Sequence, residues 1–176
     1  MNKINIKNAR LSFPSLFQTS MFGDDDTGKY EATFILDKKE HADTIAQIEK
    51  QIQAHKKDLK AANMGADKIC LKDGDELDRP EFEGKMTIKA STKKRPLVID
   101  RDKTPIVEDD NKIYGGCYVN AILSLWGQNN KFGKRVNAQL DGVQFNQDGE
   151  PFGDAGVSTN AFDVFGDEDE DEDEGF

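Results

Sequence analysis

Tyr114-Gly115-Gly116-Cys117-Tyr118-Val119-Asn120-Ala121-Ile122-Leu123-Ser124-Leu125-Trp126 is the stretch that decides the fold class. Its odd positions, Cys117, Val119, Ala121, Leu123 and Leu125, are all apolar. Its even positions, Tyr114, Tyr118, Asn120, Ile122, Ser124 and Trp126, are mixed. A period of two sustained over this length reads as a β-strand with one face on a core and the other turned away from it. A turn at Gly127-Gln128-Asn129-Asn130 leads into a second strand over 131–145, with Val136, Ala138 and Leu140 inward and Arg135, Asn137 and Gln139 outward. Gly142 marks a change of phase, after which Val143 and Phe145 resume the apolar face.

The same alternation recurs upstream. Ile4 and Ile6 share one face, and Ala9, Leu11 and Phe13 continue it one residue out of phase. A slip at Asn8 therefore reads as a bulge in a long strand that Pro14 stops. Residues 15–28 read as a loop with a turn-rich tip over 23–28. Tyr30, Ala32, Phe34 and Leu36 line one face of another strand. Met86, Ile88 and Ala90 are the inner face of a fourth, whose outer face carries Lys85, Thr87, Lys89 and Ser91. Residues 40–63 are the one helical pattern, with an apolar stripe of Ile45, Ile48, Ile52 and Leu59, and with Gly65 as the stop signal. Its two histidines, His41 and His55, are too far apart to share a metal and read as surface or boundary residues. Residues 68–84 read as irregular, 100–112 as a polar loop and 146–161 as a linker.

Five strands, one helix and no βαβ alternation give a mainly β chain with one long helix (α+β). The expected architecture is an OB-fold-like antiparallel five-stranded barrel. The helix falls earlier in the strand order than in the simplest OB scheme. Expected boundaries are a folded domain over 1–162 and a flexible, disordered acidic C-terminal tail over 163–176. That tail holds eight consecutive carboxylates, Asp167, Glu168, Asp169, Glu170, Asp171, Glu172, Asp173 and Glu174, and then Gly175 and Phe176. It contains too little apolar surface to fold.

The formal net charge of −10 hides the balance of the body. Of 34 acidic residues, nine lie from Asp163 onward, which leaves 25 against 24 Lys and Arg. A basic face is therefore compatible with the composition. Two cysteines, Cys70 and Cys117, have no metal-ligand spacing and read as free thiols of a reducing cytosol. The first residues carry no apolar signal region, and no stretch approaches the roughly 20 apolar residues of a membrane span. The expectation is a soluble, intracellular (cytoplasmic) protein, away from membranes.

A surface for single strands needs cations for phosphates and exposed rings for bases. The outer faces supply both. Tyr114, Tyr118 and Trp126 share the face opposite the core, with Phe132 at the hairpin tip. Lys85, Lys89, Lys93, Lys94 and Arg95 flank them on one side and Lys131, Lys134 and Arg135 on the other. Asp73, Asp75, Glu76, Asp109 and Asp110 offer a rival reading as Mg²⁺ ligands of a hydrolase. Asp-Gly-Asp and Asp-Asp-Asn are, however, ordinary turn chemistry, and no nucleophile motif or phosphate-binding glycine signature accompanies them. The expectation is a non-enzymatic protein with no cofactor and no metal.

Several stretches together resemble a family of phage single-stranded-DNA-binding proteins, once described only as a domain of unknown function. They are Ala9-Arg10-Leu11-Ser12-Phe13-Pro14-Ser15-Leu16-Phe17, Leu71-Lys72-Asp73-Gly74-Asp75, Arg95-Pro96, Gly115-Gly116-Cys117-Tyr118-Val119-Asn120-Ala121, Gly142-Val143-Gln144 and Asp148-Gly149-Glu150-Pro151. The resemblance implies an OB fold that coats single-stranded DNA in phage replication or recombination. It also implies an acidic tail, ending in an aromatic residue, that recruits replication or recombination proteins and competes with DNA. Trp126 stands where Tyr or Phe is expected in relatives. The alternative is an acidic protein–protein adaptor or DNA mimic that binds no nucleic acid. Homo-oligomerisation is left open by the sequence.

Overall fold

The computed structural model describes residues 3–77 and 79–152. The elements are β1 (Lys3–Ser15), β2 (Met21–Phe22), β3 (Asp25–Asp26), β4 (Tyr30–Asp37), α1 (Ala42–Asp58), β5 (Leu71–Asp73), β6 (Lys85–Thr92), β7 (Leu97–Ile99), β8 (Tyr118–Asn130) and β9 (Gly133–Gln147). Seven strands form one sheet in the order β5-β6-β4-β1-β8-β9-β7, and Ser91 of β6 pairs with Gln139 of β9 to close it. The result is an OB-like barrel of β1, β4, β6, β9 and β8. The β2–β3 hairpin stands apart.

The barrel is mixed rather than antiparallel, contrary to the expectation. Five strands around a closed ring cannot all alternate in direction, so one neighbouring pair must run parallel. That pair is β6–β9, and the added edge strand β7 also runs parallel to β9. The helix lies between β4 and β6, early in the strand order as the sequence suggested. Its Ile45, Ile48 and Ile52 enter the core with Ile4, Leu11, Phe34, Ile88, Val119, Leu123 and Leu140.

Both phase slips are present. Register shifts between Ile6 and Ala9, and Asn8 takes a positive φ of 56°. A bulge strands backbone groups that must find partners. Here the Asn8 N–H donates to Asn120 Oδ1 at 2.9 Å. The Lys7 carbonyl accepts from His41 Nε2 at 2.8 Å. His41 is therefore buried, not a surface residue. Its Nδ1 accepts the Asp37 N–H at 2.9 Å, which fixes the proton on Nε2. The second slip leaves Asp141 unpaired, since Ile122 faces Gly142 and Leu123 faces Leu140. Asp141 then accepts from Ser124 Oγ at 2.6 Å and pairs with Lys3 at 2.9 Å.

Other expectations are corrected. Phe13 leaves the core face: its φ is 50°, register shifts between Ser12 and Ser15, and its ring is 47% exposed beneath the Arg79 guanidinium, 4.6 Å away. The 15–28 loop contains the β2–β3 hairpin, and 68–84 contains β5. The 100–112 loop is not wholly polar, because Ile106 is buried and its N–H donates to the Val98 carbonyl of β7 at 2.9 Å.

The helix ends before Gly65. The Lys60 N–H donates to the Lys57 carbonyl and the Ala61 N–H to the Lys56 carbonyl, with Lys60 at φ 54°. This is a Schellman closure with lysine where glycine is usual. Gly127 belongs to β8, not to a turn, because the hairpin turn is Lys131-Phe132. A Cβ at Gly127 would meet Leu59 of the helix end at 3.2 Å, so glycine permits that close approach.

The presumed linker also begins later than expected. β9 includes Asn146 and Gln147, and Asp148 to Phe152 pack back on the barrel. The Phe152 N–H donates to the Gly115 carbonyl at 3.1 Å, and the Arg10 guanidinium lies 4.2 Å from the Phe152 ring. Arg10 Nε also donates to the Gly116 carbonyl at 3.1 Å. The boundary expected at 162 and the acidic tail lie outside the described residues.

Candidate nucleic-acid interface

Tyr30 of β4 pairs with Thr92 of β6, and Ser91 with Gln139 of β9. Lys29 therefore sits next to the turn that follows β6, and the β8–β9 hairpin rises over the same spot. Between them runs a groove of about 790 Å³ lined by Lys29, Lys93, Lys94, Trp126, Phe132 and Arg135, with amides from Gln128, Asn130 and Gln139. Trp126 is 39% exposed and Phe132 72% exposed. Past Trp126 and Arg135 a second lobe of about 370 Å³ opens, lined by Lys68, Lys72 and Lys89 together with Glu31 and Asp67. Lys29, Trp126, Gln128 and Arg135 line both lobes and form the waist between them.

Several lysines outside the first lobe are held in ion pairs. Lys3, Lys38, Lys85, Lys89 and Lys112 are each paired with a carboxylate. Among the described residues, no carboxylate lies within salt-bridge distance of Lys29, Lys93, Lys94 or Arg135. Unneutralised ammonium and guanidinium groups beside exposed rings make a surface suited to a polyanion with flat apolar bases.

The fold brings together Trp126, Phe132, Lys93, Lys94 and Arg135 from the expected set. Lys89 lies in the second lobe, 3.5 Å from Glu31. Arg95, Lys131 and Lys134 are exposed but line neither lobe. Lys131 Nζ sits 5.2 Å over the Phe132 ring. Lys85 is at the other end of β6, seven residues from Thr92 and so about 23 Å away at roughly 3.3 Å per residue. It bonds Asp37 at 2.8 Å, and that bond, with the Glu40 and Lys39 N–H groups, holds the Asp37 carboxyl well below the usual range.

Tyr114 is not on the strand at all. Its hydroxyl accepts from the Gly149 N–H at 3.1 Å and lies 2.9 Å from Asp148 Oδ1, so it locks the returning 148–152 segment; burial pushes its phenol up. Tyr118 packs against Gly149 in the same lock, with Arg10 5.9 Å from its ring. The three aromatics read as one face are thus divided between two ends of β8.

Lys29, Lys68 and Lys72 were missed. The parity of β4 would have found Lys29, since Tyr30, Ala32, Phe34 and Leu36 face inward and Lys29 shares the phase of Glu31 and Thr33. Lys68 precedes β5 and Lys72 lies within it, a strand of three residues and too short to show a period.

The carboxylates of the rival hydrolase reading serve turns and ion pairs. Asp73 accepts the Asp75 N–H at 3.0 Å, Lys38 sits 3.0 and 2.9 Å from Asp73 and Asp75, and Asp110 accepts the Val107 N–H at 2.9 Å. Both thiols are free, and burial pushes Cys70 up to about 12 and Cys117 upward as well. Among the described residues, no helix is long and apolar enough to cross a membrane.

A family model described as "Enterobacter phage Enc34, ssDNA-binding protein" matches residues 2–175. The single-stranded DNA-binding protein from bacteriophage Enc34, solved in complex with ssDNA, is 35% identical, with a TM-score of 0.79 over 86% of this chain and 89% of that one. A putative protein, p50, of Acyrthosiphon pisum secondary endosymbiont phage 1 is 38% identical over 168 residues, covering 89% of this chain and 90% of its own length. The bacteriophage T7 single-stranded DNA-binding protein gp2.5 shares the fold, with a TM-score of 0.58 at 16% identity over 88% of this chain and 96% of that one.

Proposed function

The chain belongs to the phage family of Enc34-type single-stranded-DNA-binding proteins, and from that premise we propose that it binds single-stranded DNA, without reading sequence, through the groove around Trp126. The observation that carries this reading is the meeting of four uncompensated cations with two exposed rings in one groove. Every base presents a π-face to Trp126 and Phe132, so stacking tolerates any sequence. Lys29, Lys93, Lys94 and Arg135 meet the phosphates. The biological setting is phage DNA replication or recombination, with no catalytic step. A gel shift with oligo-dT against duplex DNA, with Mg²⁺ present, tests it. Retarded oligo-dT supports the reading. Failure to retard it favours the adaptor or DNA-mimic alternative, and degraded DNA points to a nuclease.

Affinity falls with salt at a slope of about −0.7 per neutralised phosphate on single strands. Replacing Lys93 and Lys94 together by Ala makes a plot of log K against log salt shallower by about 1.4. Replacing Arg95, on the same turn but outside the lining, changes the slope less. An unchanged slope in the double variant removes the turn from the binding surface.

The acidic run 167–174 competes with DNA for the same cations. Truncation before Asp163 strengthens oligo-dT binding, most strongly at low salt, because both competing interactions are screened as salt rises. Phe176 acts in recruitment of replication or recombination proteins rather than in competition. Removing it leaves DNA affinity nearly unchanged and weakens partner pull-down. Equal DNA affinity of full-length and truncated chains at low salt would sink the competition.

A further inference from the structure

The outer face of β9 beside Trp126 carries Asn137 and then Gln139. Asn137 lies directly across from Trp126, and Gln139 across from Ser124. Asn137 lines the second lobe and Gln139 the first, so both amides belong to the floor that runs past the indole. Gln139 is exposed and Asn137 half-buried. A side-chain amide can turn either its oxygen or its nitrogen outward, and its hydrogen-bond partners decide which.

Here the partners leave no choice, because each run of bonds starts from a group with a single role. At one end the Asp141 carboxylate, paired with Lys3, only accepts. Gln139 must therefore give it Nε2, at 2.9 Å, and Gln139 Oε1 is turned away. At the other end the Phe132 backbone N–H only donates, so Asn130 must offer Oδ1, at 2.9 Å. That oxygen also accepts from Gln128 Nε2 at 3.2 Å, which leaves Gln128 Oε1 to accept from Asn137 Nδ2 at 2.9 Å. Asn137 Oδ1 is then the outward end of the relay. Among the described residues, neither Gln139 Oε1 nor Asn137 Oδ1 has a hydrogen-bond partner. The floor thus presents two carbonyl oxygens, two residues apart on β9 and so about 7 Å apart along the strand.

We infer that Gln139 and Asn137 contact the free base edges of the bound strand, each carbonyl oxygen accepting an N–H from an unpaired base. Carbonyl oxygens repel phosphates, so the backbone is left to Lys29, Lys93, Lys94 and Arg135 while the bases turn in toward the floor. Every base carries an N–H on its Watson–Crick edge, at N3 of thymine, N4 of cytosine, N6 of adenine and N1 of guanine, so the contact tolerates any sequence. In a duplex those N–H groups are already spent on the opposite strand. The two amides therefore favour unpaired over paired bases, a selectivity that charge alone does not supply. This rests on the DNA-binding reading above and adds to it what the groove tells apart. The competing account is that the amides merely brace the hairpin.

The two accounts separate by base chemistry. Thymine in oligo-dT has a single N–H, at N3, so methylating N3 removes the donor and leaves the ring and the phosphates in place. The full chain is titrated with oligo-dT of about 15 nucleotides, within the span of one OB fold, and with its N3-methylthymidine counterpart. The melting temperature of each variant is recorded alongside. The parent binds the methylated strand more weakly. Gln139→Ala loses about 2- to 12-fold on oligo-dT, the range of one neutral hydrogen bond. Its salt slope is unchanged, because no phosphate contact goes, and it loses little on the methylated strand. In Asn137→Ala/Gln139→Ala the two oligonucleotides bind alike. Equal affinity of the parent for both strands, or a Gln139→Ala loss of the same size on both, overturns the base-edge contact. So does a lowered melting temperature with oligo-dT affinity intact, which is what bracing alone produces. No binding of either strand by the parent protein instead overturns the DNA-binding reading itself.

Discussion

Trp126→Ala weakens binding of oligo-dT by about 5- to 150-fold, the range that corresponds to a loss of roughly 1–3 kcal/mol of stacking on one base. The indole stands on the outer face of β8, opposite Asn137 of β9, and is exposed to both lobes of the groove. Little core is lost with it, because the apolar phase of β8 is carried by Val119, Ala121, Leu123 and Leu125, each almost wholly buried. The variant should therefore melt close to the parent temperature while losing affinity. Trp126→Phe keeps a π-face at the same place and recovers most of the binding. Because Trp126 is the only tryptophan, intrinsic emission isolates it, and stacking should quench that emission as oligo-dT saturates. Undiminished affinity of the Ala variant, with emission unchanged on binding in the parent, would move the site elsewhere on the barrel.

Gly116→Ala lowers stability by about 3 kcal/mol, and with it the melting temperature by about 6–12 °C for a chain of this size. Gly116 has a φ of +116°, and a Cβ there would lie 2.3 Å from the Glu150 carbonyl oxygen and 2.9 Å from the Pro151 Cα. Its own N–H donates to the Leu11 carbonyl at 2.8 Å, so the backbone is not free to swing away. The clash is relieved only if the 148–152 segment lifts off, and that exposes the Tyr114 hydroxyl and the Phe152 ring. Limited proteolysis after Gln147 should accelerate accordingly. DNA affinity measured well below the melting temperature should change little, since Tyr118 and Trp126 are eight residues, or about 26 Å, apart along β8. A Gly116→Ala protein that melts with the parent would mean the segment is not held against Gly115 and Gly116.

The parts of the fold that could be read from the residues are those where burial imposes a period. Cys117 through Leu125 fixed β8, the Asn8 slip was visible as two out-of-phase apolar runs, and Gly142 announced the Asp141 bulge. What escaped was decided by contacts distant in the chain or by single backbone angles. Phe13 has the composition of a core residue, and only a left-handed φ turns it outward. Lys60 ends the helix in a conformation where glycine would have been recognised. Tyr114 shares the parity of Trp126, yet Gly115, Gly116 and Cys117 separate it from the strand, and its hydroxyl answers to Asp148 and Gly149. β5 and β7 are three residues each and take their place from β6 and β9. The site was legible to the same degree. Trp126, Phe132, Lys93, Lys94 and Arg135 followed from alternation and hairpin position. Lys85 also satisfied alternation, but alternation is blind to where along a strand a residue lies and to the Asp37 carboxylate facing it.

The order of the sheet sets a timetable for biosynthesis. β1 is an interior strand, flanked by β4 on one side and β8 on the other, with Lys3 opposite Ser124. At synthesis rates of about 5–20 residues per second, the first strand waits roughly 6–24 s for the second of its two neighbours to emerge. Until then Ile4 and Ile6 have one open edge and an unfilled barrel beside them. Closure also requires β9, the last of the described strands, to meet both β8 and β6. Such long-range pairing is slow to form. The barrel therefore closes only once β9 is available, and until then its earliest apolar strand stays incompletely covered.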